Sequence, residues 1–218
     1  MTDLPTGSDV MAAAGYFVGA LTPAAAEPER WDDVAGQLTW SCRDTIAHVV
    51  SCCSWYAALL ARRAGGDVEV AEMDGQAPPP ILLDAAASSA AVLAAAVRAA
   101  APSDRAWHSF GIGDRSGFAA MGCDEILVHG GDIAAGLGLD YAPPPDLCLR
   151  VLRRLFPWAP AAQAQASPWQ ALLWANGRTR LGTTPPQQKW RWHCAPLNEW
   201  DGTVPSLAPA ASQSAEAT

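Results

Sequence analysis

Glu125 and His129 stand four residues apart in the stretch Cys123-Asp124-Glu125-Ile126-Leu127-Val128-His129, and His48 lies in a second segment of helical pattern. An i,i+4 pair projects from one helix face. A carboxylate and an imidazole so placed can chelate one ion, and His48 on a neighbouring helix would complete a His2Glu set. Three protein ligands leave a coordination position open, as in catalytic rather than structural zinc sites. Two imidazoles favour zinc, with nickel as second choice, over calcium or magnesium. A Glu-x-x-x-His pair alone is more often an ion pair or a solvated face than a metal site. Its surroundings argue for a metal: Ile126, Leu127, Val128 and Ile133 make this helix apolar over most of its circumference. A carboxylate and an imidazole there need partners to offset desolvation.

Other residues are candidates for supporting roles. Asp132 follows His129 by three positions and Asp44 precedes His48 by four; carboxylates at such spacings can orient a ligand imidazole through its other nitrogen. Asp44 is equally placed to cap a helix opened by Ser41. Cys52, four residues after His48, could share its helix face. Cys42, Cys53, Cys123, Cys148 and Cys194 show no CxxC spacing and read as small buried thiols. His108 and His193 have no partner at ligand spacing and read as surface or packing residues, with lining a pocket as the lesser alternative. Arg178 and Arg191 could grip a substrate carboxylate bidentately, beneath a cover of Trp174, Trp190 and Trp192, although exposed arginines are usually solvated. Gly111-Ile112-Gly113 lacks the third glycine of a dinucleotide fingerprint, and no G-x-S-x-G nucleophile elbow occurs.

The elements that must position these groups are helical. Apolar spacing predicts a helix over residues 8–21 with Ser8 as N-cap, and a second from Ser41 to the Gly65-Gly66 break. An exposed connection over 66–83 should lead to an alanine-rich helix over 84–101, closed by Pro102. Residues 107–114 read as a glycine-broken loop, followed by a helix over about 116–137 with Gly138 as its C-cap. Gly130 and Gly131 inside that helix cost on the order of 1 kcal/mol each relative to alanine, which close helix packing should offset. Beyond Pro143-Pro144-Pro145, helices are expected over 146–156 and from Ser167 to Trp174, where Asn176-Gly177 would also suit a hairpin turn, then an extended tryptophan-rich cover over 189–194. The fold class is therefore all-α: a four-helix bundle over 1–140, a short mixed extension over 141–202 packing on it, and a disordered tail over 203–218.

Composition excludes several functions. The net charge of −8 argues against nucleic acid, because phosphate binding needs a cationic face. We expect no membrane span, no secretory signal and a cytoplasmic location, with thiols kept reduced. Partners should be small molecules, and the chain a monomer or homodimer. Lys189 is the single lysine against thirteen arginines, a bias that fits a high-G+C bacterial genome.

Trp40-Ser41-x-Arg43-Asp44-x-x-x-His48, followed downstream by Glu125-x-x-x-His129-x-x-Asp132-x-Ala134, resembles the mycothiol-dependent maleylpyruvate isomerase family of the DinB-like superfamily. The resemblance spans about residues 8–140. It implies a DinB-like four-helix bundle with a divalent metal, usually zinc, held by His48, Glu125 and His129. It also implies mycothiol as a metal-bound thiol nucleophile for isomerisation or S-transfer on a small electrophile. A thiol-independent metal hydrolase and a non-catalytic DinB-like binding or stress protein are the alternatives. Relatives carry a bulkier residue where this chain has Gly131, a difference expected to enlarge the pocket. The isomerase itself has a longer C-terminal domain than residues 141–202 can form, so substrate identity does not carry over.

Overall fold

A computed structural model describes residues 4–159 and 167–204. The expected disordered tail over 203–218 lies almost entirely outside those residues. Helix α1 (Gly7–Leu21) opens one step earlier than its sequence suggests. Thr6, not Ser8, is the N-cap, because Asp9 returns the bond: its carboxylate accepts from the Thr6 backbone N–H at 2.8 Å. Two 3-10 turns, Thr22–Ala26 and Pro28–Asp32, then carry the fully buried Trp31, whose indole N–H donates to the Ala24 carbonyl at 2.9 Å.

Helix α2 (Cys42–Arg62) starts where expected, with the Ser41 hydroxyl accepting from the Asp44 backbone N–H. Helix α3 (Pro79–Ala99) begins five residues before the expected position. Proline lacks only an N–H that a first helical turn leaves unpaired, and its fixed φ suits that turn, so Pro79 and Pro80 start the helix instead of belonging to the loop. A two-stranded antiparallel hairpin, β1 (Ala106–His108) with β2 (Gly111–Gly113), replaces the expected loop. Helix α4 (Arg115–Leu137) follows, capped by Asp114 and closed by Gly138 at φ 67°. Then come α5 (Pro145–Leu155) and α6 (Pro168–Ala175), the latter ended by Gly177 at φ 72°.

α1 and α2 each pack against both α3 and α4, giving the four-helix bundle. α4 is buried over most of its circumference, and its glycines let neighbours approach. A Cβ on Gly136 would meet the Val34 carbonyl at 2.5 Å and Cys42 Sγ at 2.8 Å, one on Gly130 would collide with Tyr141, and one on Gly131 would sit 2.9 Å from the Trp169 ring. Helix packing is thus the reason for Gly130-Gly131, and Gly131 faces Trp169, not a cavity.

The extension is tied to the bundle by charge. Arg154 of α5 is fully buried; it donates to Asp114 at 2.8 Å, to Ser116 at 2.9 Å and to the carbonyls of His193 and Cys194. Arg150, one turn earlier, bonds Asp9 of α1 at 2.6 Å. All six cysteines are free thiols, and all but Cys52 are buried. One expectation from sequence needs correction: residues Gly7–Ala26 and Pro79–Ala99 do reach the length and hydropathy of a membrane span. Alanine supplies that hydropathy, and in this structure the apolar faces of α1 and α3 form the core of the bundle.

Candidate metal centre

Helix spacing assembles the site from two sides. On α2, His48, Cys52 and Tyr56 recur every four residues and share a face. On α4, Glu125 and His129 do the same, and α2 packs against α4. One donor atom each from His48, Glu125 and His129 falls within 4.8 Å of the other two. Glu125 Oε2 lies 3.5 Å from His48 Nε2 and 3.2 Å from His129 Nε2. The other carboxylate oxygen, Oε1, accepts from the Tyr56 hydroxyl at 2.9 Å. Tyr56 thereby fixes the carboxylate while leaving one oxygen for the centre.

The outer contacts are equally directed. His129 Nδ1 lies 3.1 Å from Asp132 Oδ2, the arrangement by which an outer carboxylate sets the tautomer of a ligand imidazole. Asp132 is held in turn by Arg178, whose Nε and Nη2 donate to it at 3.0–3.2 Å, while Nη1 donates to the Asn176 carbonyl. Burial disfavours a charged Glu125, but bonds from His129 and His48 outweigh it and hold the carboxyl well below its usual range. Burial likewise disfavours imidazolium at His129, yet Asp132 and Glu125 push its pKa up to about 9. The charge of Glu125 is thus balanced by imidazolium at His129, and that of Asp132 by Arg178 as well. A divalent metal could take the place of that imidazolium proton with the same nitrogen and oxygen donors, and would release protons on binding.

The cluster opens into a cavity of about 370 Å³ lined by residues of α2, the hairpin, α4 and the C-terminal segment. Asp124, beside Glu125, accepts from the Asn176 side chain at 3.0 Å and from the Trp192 indole at 3.1 Å; its burial pushes the carboxyl up to about 7 despite those bonds. Trp190 and Trp192 line the cavity, as does Cys52, whose Sγ lies 3.4 Å from His48 Nε2. Burial, with the Glu125 charge, pushes the Cys52 thiol far up, so it stays protonated.

Several expected placements differ. Asp44 bonds Ser41, the N-cap of α2, through both its backbone N–H and its carboxylate and makes no hydrogen bond to His48 among the described residues, so it belongs to the capping motif. Arg178 lines the cavity, and its fork is engaged by Asp132, where it clamps the His129 support. Arg191 does not line the cavity, and its buried Nε has no partner among the described residues. Trp174 donates to the Pro185 carbonyl and also lies off the cavity lining. His108 takes the lesser of its two readings, buried in the cavity wall. Sequence reasoning passed over Tyr56, Asp124 and Asn176. Tyr56 was legible as the next member of the His48–Cys52 face, and Asp124 as a second carboxylate in an apolar helix; Asn176 had no such signal.

Removing the clamp has a defined consequence. Arg178→Ala should weaken zinc binding about 10–100-fold, the usual cost of losing an outer partner of a metal site. Competition against a chromogenic chelator measures it, and unchanged affinity would show that Asp132 orients His129 unaided.

A helical bundle with a His2Glu cluster facing a cavity defines a protein built around a candidate metal centre. This chain belongs to the family of the mycothiol maleylpyruvate isomerase N-terminal domain, whose family model matches residues 12–134. That range takes in His48, Glu125 and His129 and ends just past Asp132. No curated protein and no solved structure gave a match.

Proposed function

We propose that this protein is a metal-dependent enzyme that employs a low-molecular-weight thiol, mycothiol, as nucleophile for isomerisation or S-transfer on a small electrophilic substrate. The observation that carries the reading is the cluster itself: three donor atoms within 4.8 Å, backed by Asp132 and Tyr56, at the wall of a cavity large enough for small reactants. Membership of the mycothiol maleylpyruvate isomerase family supports the choice of thiol. His48, Glu125 and His129 would hold the metal, zinc by donor type, and its charge would keep a coordinated thiol ionised at neutral pH.

The chain's own groups set the conditions for that chemistry. Tyr56 holds Glu125 in place through its hydroxyl, and Asp132 holds His129 through its Nδ1. Trp190 and Trp192 add apolar surface to the cavity lining, and a drier site would strengthen electrostatic interactions inside it. Zinc-loaded protein incubated with mycothiol and a panel of haloarenes, epoxides and cis-enones should yield thiol adducts or trans isomers. A rate no greater than that of chelator-treated protein across the panel would refute the proposal.

A further inference from the structure

His108 is the one histidine of the cavity wall outside the cluster, and its surroundings decide where its proton sits. Its Nδ1 accepts the backbone N–H of Phe110 at 3.1 Å. A backbone N–H can only donate, so Nδ1 presents its lone pair and the neutral ring carries its hydrogen on Nε2. The Cys194 thiol lies against the same nitrogen at 3.7 Å, leaving Nδ1 enclosed. Nε2 has no hydrogen-bond partner among the described residues, and it is not one of the sealed polar atoms left unpaired. The ring lines the cavity, and that is where Nε2–H is left to act.

The rest of the environment keeps this donor neutral and rigid. The rings of Trp55, Tyr56, Phe110 and Trp192 surround the imidazole with centroids 5.3–5.7 Å away. Burial among them pushes its pKa down to about 4, against the weaker upward pull of Glu125. The hairpin that supplies both His108 and Phe110 builds donor and lock in one turn. Tyr56 touches His108 with its ring and Glu125 with its hydroxyl, so the donor stands one side chain away from the cluster.

We infer that His108 is a catalytic hydrogen-bond donor of this site, presenting Nε2–H to the carbonyl oxygen of a planar conjugated carbonyl substrate. The inference rests on the proposed function and adds the residue that accommodates the developing charge. When the thiolate sulfur bonds to the far carbon of the conjugated system, the π pair of the double bond shifts and the carbonyl oxygen gains negative charge. Nε2–H donates a hydrogen bond to that oxygen and keeps its proton. Rotation about the former double bond and expulsion of the thiolate return the pair, giving the isomer with no net proton change. A neutral imidazole suits this task, because it can donate Nε2–H to the developing charge without handing over its proton, as an imidazolium would.

The test separates the donor from the thiol chemistry. The probe is 4-dimethylaminocinnamaldehyde, a planar conjugated aldehyde whose absorption moves to longer wavelength when its carbonyl accepts a hydrogen bond. It is mixed with the protein as purified and after chelator treatment, without thiol. Parent and His108→Gln, which retains a neutral donor near the Nε2 position, should both show the shift in chelator-treated protein, and His108→Phe should not. No shift with parent, or the same shift with His108→Phe, overturns the inference. Long-range proton–nitrogen NMR of the histidine ring should report the Nε2–H tautomer from about pH 5 to about pH 8; a proton on Nδ1 overturns it equally. With thiol and a cis-enone, His108→Phe should lower kcat about 100-fold, the usual loss for one such donor, with KM little changed. Turnover of a carbonyl-free haloarene should be spared, and an equal loss there would reduce His108 to a packing role. Absence of any turnover in the parent would count against the proposed function while leaving the aldehyde and NMR results to decide on His108.

Discussion

Zinc added to chelator-treated protein is expected to raise the unfolding midpoint, and His129→Ala should abolish the effect. A ligand that binds only the folded state stabilises it by about 4 kcal/mol at a free concentration 1,000-fold above its dissociation constant. Glu125 and His129 sit on α4, His48 on α2, so a bound ion would join two neighbouring helices of the bundle. His129→Ala removes the ligand whose other nitrogen is held by Asp132 and leaves Asp132 and Arg178 paired with each other. The metal-free variant should therefore fold, while its zinc-dependent shift disappears. A calorimetric scan with and without zinc measures both effects, and an undiminished shift in the variant would exclude His129 as a ligand. The shift should also weaken on acidification, because the pKa of about 9 at His129 makes binding displace a proton throughout the neutral range.

The largest structural loss is expected from Arg154→Met. Arg154 is fully buried and satisfies Asp114, Ser116 and two carbonyls of the C-terminal segment. Removing one partner of a buried ion pair typically costs about 3–5 kcal/mol, because the other charge stays behind without compensation. Here the charge left is also the N-cap of α4, the helix that carries Glu125 and His129. Urea titration should show a shift of that order with an unchanged slope, and a loss below about 1 kcal/mol, within the range of an exposed pair, would overturn the assignment.

The pH dependence of this pair has a definite sign. Burial opposes ionisation of Asp114, but Arg154, the Gly117 N–H and Ser116 outweigh it and lower its pKa. A carboxyl lowered in the folded state contributes stability that is fully present above its unfolded pKa of about 4. That contribution is lost as pH falls through the lower folded value. The gap between parent and Arg154→Met should hence be widest near neutrality and narrow in strong acid.

Much of the framework was legible along the chain. Ser41 before Asp44, Gly138 after Leu137 and the apolar spacing of α2 and α4 are local signals, acting within one or two helical turns. For the same reason Glu125 and His129 could be seen to share a face, and Asp132 to reach His129. The start of α1 and of α3 was misplaced where two local signals competed: Thr6 against Ser8, and proline as helix opener against proline as loop residue. Only the tertiary structure decided which faces meet. The rotation of α2 against α4 turns His48 and Tyr56 onto the two oxygens of Glu125. The path of the extension spends Arg178 on Asp132 and brings Asn176 and Trp192 to Asp124. Trp55 and Tyr56 of α2 and Trp192 of the extension close around the His108 ring. These contacts join residues separated by dozens of positions, and their geometry depends on the relative rotation of packed elements, a quantity to which the periodicity of any single element is blind.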